Sequence, residues 1–232
     1  MGVCPEPAGM VIVEEGARKL GIRVALLTAC SRGRSAPSAS SGALDSEVAR
    51  LLEELREMYT LDSLREDPVV RAYRSFYWRI GVDPTKTRPS SEALVRRALR
   101  GRWPRISPVV DAGNIASARS MVPIGLYDLD SFEPPARLAL SSGGELFEPI
   151  GGGEERLPRG LPILVDSRGV VMHLYPHRDS RRTMIRKTTT RLLALAAGVP
   201  GVGGDLLLSS LRELARLLGV LGWESRGPVL VE

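Results

Sequence analysis

Thr85, Lys86, Thr87, Arg88, Ser90 and Ser91 gather cations and hydroxyls immediately ahead of a helical pattern. Free backbone N–H groups and the dipole at such a helix start favour an anion. Pro84 and Pro89 would stiffen the approach, so the stretch reads as a pre-formed anion-binding corner. The helix that follows, "PSSEALVRRALRG", would turn Ala93, Leu94, Ala98 and Leu99 to the core and Arg96, Arg97 and Arg100 outward. A second basic run, "HRDSRRTMIRKTTTR", carries Arg178, Arg181, Arg182, Arg186, Lys187 and Arg191. Two such clusters flanking a β region suit a phosphate backbone. The competing reading is a solvated basic face with Asp83, Glu92 and Asp179 as local partners.

Other chemistry is sparse. Asn114 is the single side-chain amide of the chain, which has no Gln. Its amide could contact a substrate or satisfy buried backbone groups. His173 and His177 are four apart, but Pro176 lies between them in a strand-plus-turn pattern, so they share no helical face and no metal site is expected. No GxxxxGK[ST], HExxH or GxSxG occurs, and "GGGEERLPRG" precedes no helix, so it reads as a turn. Cys4 and Cys30 have no CxxC companion. Two separate reduced thiols are expected, with one disulfide as the alternative.

The elements that must position these residues follow from periodicity. "MVIV" (10–13) and "IRVALLT" (22–28) read as strands around a helical turn. "SRGRSAPSASSG" (31–42) reads as a small-residue basic loop, a mobile surface segment with a phosphate-contacting loop as the alternative. Residues 44–59 repeat apolar positions at helical spacing, and Asp67-Pro68 starts another helix whose aromatics face the core. "ISPVVDAGNIASARS" (106–120) looks helical. From residue 122 short strands alternate with Gly and Pro: "VPIGLYDLD", "RLALS", "ELFEPI", "PILVD", "VVMHLY", "TMIRKT" and "RLLALAAG". A helix over 205–222 and a short apolar tail close the chain. Early helices, late strands and a final helix indicate α+β.

The chain has 232 residues, 43% hydrophobic and 25% charged, with a net charge of +5, which suits a globular protein with a sizeable core. No run of about 18 apolar residues suggests a membrane span. The N-terminus lacks a secretory pattern and matches a myristoylation motif poorly. The basic excess is nearly all Arg, whose planar fork suits phosphate, although a GC-rich genome also encodes Arg by default. Amide depletion fits a protein from a hot environment.

The segment 73–130 resembles the tRNA-binding and editing module of the phenylalanyl-tRNA synthetase beta chain, formed by its fused third and fourth domains. The specific pieces are "RPSSEALVRRAL", then Arg105-Ile106-Ser107-Pro108-Val109-Val110-Asp111 with Asn114, then "PIGLYDLD"; "GGELF" and "GGGEERLPRGLPILVD" continue the likeness to about residue 200. The resemblance implies a three-layer α+β domain with helices packed on a β-sandwich of unusual topology. One domain over 1–232 is expected: a core at 65–200, an N-terminal α/β extension at 1–64 and the C-terminal helix. In the synthetase this module hydrolyses wrongly charged tyrosyl-tRNA.

The resemblance therefore implies a freestanding deacylase of mischarged tRNA, needing no cofactor, no metal and no synthetase alpha subunit, in the cytoplasm. Asn114, Gly125, Tyr127, Asp128, Lys187 and Thr188 would line its pocket. Lys86, Arg88, Arg96, Arg97, Arg100, Arg178 and Arg182 would lie near RNA. No catalytic side chain is assigned, because ester hydrolysis needs only an oriented water, a stabilised oxyanion and help from a ribose hydroxyl. Two positions depart from the family pattern. Gly125 stands where the bacterial synthetase has a pocket His, and "TMIRKTT" offers Arg186, Lys187 and Thr188 where it has a carboxylate that reads the tyrosine hydroxyl. A hydroxyl is read strongly only when its polar partner is present, so a different substrate is expected. The alternatives are an RNA-binding module without hydrolysis and an amino-acid-binding pocket.

Overall fold

The computed structural model describes residues 4–31 and 42–232. Most of the expected loop at 31–42 lies outside the described residues. The chain runs through β1 (Val11–Val13), α1 (Glu15–Lys19), β2 (Arg23–Ser31), α2 (Asp45–Met58), a 3-10 turn (Ser63–Glu66), α3 (Pro68–Arg79), α4 (Ser90–Leu99) and α5 (Pro108–Ser120). The strand-rich part follows: β3 (Ile124–Asp128), β4 (Ala136–Leu140), β5 (Leu146–Phe147), β6 (Glu155–Arg156), β7 (Pro162–Val165), β8 (Val171–Leu174), β9 (Arg178–Asp179) and β10 (Arg191–Gly198). Helix α6 (Gly204–Val220) and strand β11 (Trp223–Val231) close it.

Local signals set the helices that border the site. Asp67 caps α3, accepting from Val69 N at 2.8 Å and Val70 N at 3.1 Å, with Pro68 next. Its Tyr73, Phe76 and Tyr77 are buried, as the aromatic spacing predicted, while Trp78 is exposed. Ser107 caps α5 ahead of Pro108, and Met121 ends it in the left-handed conformation at φ 59°. Helix α4 starts without a side-chain cap. Pro89 occupies the N-cap, and neither Ser90 nor Ser91 makes a capping bond. Glu92, a candidate partner on a solvated face in the sequence, is fully buried.

Two sheets carry the core. One has the order β1-β4-β7-β8-β9 and the other β11-β2-β10-β3. Strands β2 and β10 are buried at nearly every position, which requires cover on both faces. Helices α5 and α6 supply one cover, α6 against β2, β10 and β11 and α5 against β3. The first sheet supplies the other: Tyr175, at the end of β8, donates to Gly198 O at 2.6 Å and Arg23 O at 3.2 Å. The layers are therefore helices, sheet and sheet, an α+β arrangement around a main apolar core, with a smaller cluster of Phe147, Leu157, Ile163, Val165, Val171 and Leu174 on the first sheet. The final apolar tail, which carried no element in the sequence reading, is β11. It pairs antiparallel with β2 across an irregularity between Arg226 and Val229. "TMIRKT", expected as a strand, forms none: Met184 makes an isolated bridge to Tyr127 between turns.

Two side-chain features differ from expectation. Cys4 and Cys30 form a disulfide with Cα atoms 5.6 Å apart, not two separate thiols. The segment before β1 folds back along β2, where Thr28 Oγ1 donates to Pro5 O at 2.5 Å, and this brings the sulfurs together. Arg119 and Arg216 link Glu47, Glu54 and Glu213, joining α2, α5 and α6 in one ion-pair network.

Candidate functional site

The polar part of the site is built by three elements. Arg88 and Arg97, before and within α4, form one wall. Asn114 of α5 forms a second. His173, His177 and Asp179, from the β8–β9 hairpin, form the third. Together they border a chamber of about 290 Å³. A second chamber, about 190 Å³, is apolar, lined by Ile106, Val110, Leu126, Met184 and Ile185. Asn114, Ile124 and Asp179 border both chambers, so the two adjoin. Gly113 lets α5 lie close to β3: a Cβ there would come within 2.7 Å of Leu126. That close approach sets the neighbouring Asn114 between the chambers. Its amide makes no hydrogen bond with other described residues, unlike Asp111, which is tied to Ile106 N at 2.9 Å and Arg105 at 3.1 Å.

The hairpin was not anticipated as a site. His173 and Asp179 are direct partners in the antiparallel β8–β9 pair, so their side chains share a face. His173 Nδ1 lies 2.8 Å from Asp179 Oδ1. His173 is only 4% exposed, yet its Nε2 has no partner among the described residues. His177 packs its ring on Tyr77, with centroids 5.6 Å apart. Burial drives its pKa from 6.5 down to about 3, assisted by His173 and Arg178 and opposed by Asp179. His177 is thus a neutral imidazole, and its Nδ1 is also unpartnered.

The pocket candidates divide. Asn114 and Gly125 line the polar chamber. Tyr127 is fully buried, and its hydroxyl fills the space above Gly125, where a Cβ would collide with it. Burial raises the Tyr127 pKa well above 10, with Asp179 adding to the effect. Asp128 is buried as framework: it accepts from Thr189 Oγ1 at 2.7 Å and Asp130 N at 3.1 Å. Lys187 and Thr188 are exposed in a turn and border neither chamber.

The cations divide as well. Lys86, Arg88, Arg97 and Arg100 are exposed and make no ion pair among the described residues. Arg96 does not face outward freely. It donates to Glu92 at 3.1 Å and to Leu61 O at 3.2 Å. Glu92 also takes a two-pronged bond from Arg74, at 2.8 and 2.6 Å. Burial alone would raise the Glu92 pKa, but the two guanidiniums outweigh it and hold the carboxyl below 4.5. In the second cluster, Arg178 pairs with Glu155 at 2.9 Å and lies over Phe147, Arg181 pairs with Glu148 at 2.7 Å, and Arg182 reaches Glu148 at 3.4 Å. Unpaired cations therefore flank and line α4 beside the polar chamber, and Arg186 and Lys187 of the second cluster are likewise exposed without an ion pair among the described residues.

Residues 72–203 match the B3/4 domain family. The chain belongs to that family. No curated protein matches it. Among solved structures, this B3/4 chain is similar to an N-terminal fragment of the phenylalanyl-tRNA synthetase beta subunit from Pyrococcus horikoshii, at 14% identity and a TM-score of 0.54. The similarity covers 100% of this chain and 56% of the fragment. The fold is thus that of a synthetase beta-like module, as the resemblance in the sequence implied. Among the described residues no helix is long and apolar enough to cross a membrane, and no group of three or more acidic, His or Cys side chains could hold a metal ion.

Proposed function

We propose that this B3/4 protein binds the 3′ end of tRNA and hydrolyses a mischarged aminoacyl ester in trans. The observation that carries the reading is the pair of adjoining chambers beside free arginines. An aminoacyl-tRNA end has a phosphate, a ribose ester and an amino-acid side chain in series. Arg88 and Arg97 suit the phosphate, with Ser90 at the uncapped start of α4 adding a donor. The second chamber suits an apolar side chain, lined as it is mainly by Ile106, Val110, Leu126, Met184 and Ile185. Asn114, free of internal partners, is placed to donate to the oxyanion that forms at the ester carbon. Tyr127, Asp128, Lys187 and Thr188 have no direct part in this reading. The cytoplasm, where tRNA is charged, is the compartment it entails. Amide depletion, the three-helix ion-pair network and the disulfide together favour a hot environment, where intracellular disulfides persist.

The test is release of amino acid from a panel of mischarged tRNAs at elevated temperature. Release of one amino acid, reduced at least tenfold by Asn114→Ala, is expected. No release above the blank across the panel overturns the hydrolase reading, and salt-dependent tRNA binding would then leave a non-catalytic RNA-binding module.

A further inference from the structure

The geometry points to His173 as the general base of this site, with Asp179 as the residue that positions it. The inference rests on the hydrolase reading and names a catalytic group for it. Three observations support it. The first is that His173 is nine-tenths buried, lines the polar chamber and leaves Nε2 without a partner. An unpaired buried polar atom is costly, so this nitrogen calls for a partner that the chamber would supply. The second is that Asp179 fixes the tautomer. An ionised carboxylate only accepts, so at 2.8 Å it requires the proton on Nδ1 and leaves Nε2 as a buried lone pair without a donor, on a residue that lines the chamber.

The third observation is the asymmetry of the two imidazoles. His177, with no carboxylate bonded to it and heavily desolvated, stays neutral and does not compete for the proton. The groups around His173 are Asp179 on β9, His177 in the hairpin turn, the Tyr127 and Tyr175 rings at 6.3 and 6.0 Å, and Arg88 and Arg97 across the chamber. Asp179 is the one anion among them and stabilises the imidazolium once it forms.

The step balances without any further reactant. Nε2 takes a proton from water as the water oxygen bonds to the ester carbonyl carbon. The tetrahedral intermediate collapses, the carbon–ribose oxygen bond breaks, and the imidazolium returns its proton to that ribose oxygen. Free amino acid and uncharged tRNA leave.

The experiment measures single-turnover deacylation by the wild type, His173→Gln, Asp179→Asn and Asp179→Glu, with tRNA affinity determined alongside. His173→Gln should lower the rate by about 10²–10⁴-fold while tRNA affinity stays within about twofold. Asp179→Asn should do nearly as much, because an amide donor moves the proton to Nε2; Asp179→Glu should restore part of the rate. The wild-type rate should depend on pH, a result that needs no variant to fold. An active wild type with a pH-independent rate, or with His173→Gln within threefold of it, overturns the role of His173 and leaves the hydrolase reading intact. A wild type that releases nothing overturns both.

Discussion

Replacing Glu92 by Gln tests whether the α4 wall is held electrostatically. The Glu92 side chain is fully buried and accepts three bonds from two guanidiniums, at 2.6, 2.8 and 3.1 Å. Gln keeps the volume but loses the charge and can serve only one of the two prongs of Arg74. Breaking a buried pair from one side costs about 3–5 kcal/mol. Arg74 and Arg96 remain 23% and 16% exposed, so water recovers part of their solvation. We therefore expect a loss of about 2–3 kcal/mol, which at this chain length lowers the melting temperature by about 4–12 °C.

Urea unfolding at neutral pH, at low and at high salt, is the assay. Because the site is buried, the loss should persist at high salt. The pH dependence has a fixed sign. The Glu92 carboxyl is depressed below 4.5 in the folded protein, so its contribution is complete above that value and is lost as the pH falls through the folded pKa. A Glu92→Gln loss below about 0.5 kcal/mol, or one abolished by salt, would refute the reasoning.

Three further outcomes follow from the same structure. Reducing the Cys4–Cys30 bridge, or changing both to Ser, should cost about 3 kcal/mol from the 26-residue separation it closes, read as a lower melting temperature with reductant than without. Gly125→Ala should destabilise by about 1–3 kcal/mol, because its methyl meets the Tyr127 ring carbon Cζ at 2.7 Å as well as the hydroxyl; equilibrium denaturation checks it. Arg97→Glu should weaken tRNA binding and reduce the salt slope by about one unit, whereas Arg182→Glu should change it much less, because Glu148 already occupies Arg182.

The helices were legible because their signals are local. Asp67-Pro68, Ser107-Pro108 and the apolar spacing of α2 each act within a few residues. What remained hidden depends on distant partners. The second basic cluster looked free in sequence, yet Glu148, Glu154 and Glu155 arrive from another part of the chain to pair with its Arg178, Arg181 and Arg182. Strand β11 was hidden by Gly227-Pro228, which breaks the alternation where the pairing shifts. The histidines were judged as a helical metal pair and dismissed. Reading "MHLYPHRD" as a hairpin would have set His173 opposite Asp179, since cross-strand partners share a face. At Gly125 the missing side chain is visible in the sequence, but its replacement by the Tyr127 hydroxyl is a consequence of packing.

Strand β2 has a consequence for how the molecule is made. Its two neighbours, β10 and β11, lie about 160 and 200 residues further along the chain, a separation that slows folding because the entropy of closing the loop precedes any gain. During synthesis β2 therefore emerges long before either partner and must wait, apolar on both faces, until the last helix has left the ribosome. The Cys4–Cys30 bridge needs neither partner. It can close early and hold the N-terminal segment over one face of the waiting strand, leaving both edges open for β10 and β11 and one apolar face less exposed to other nascent chains.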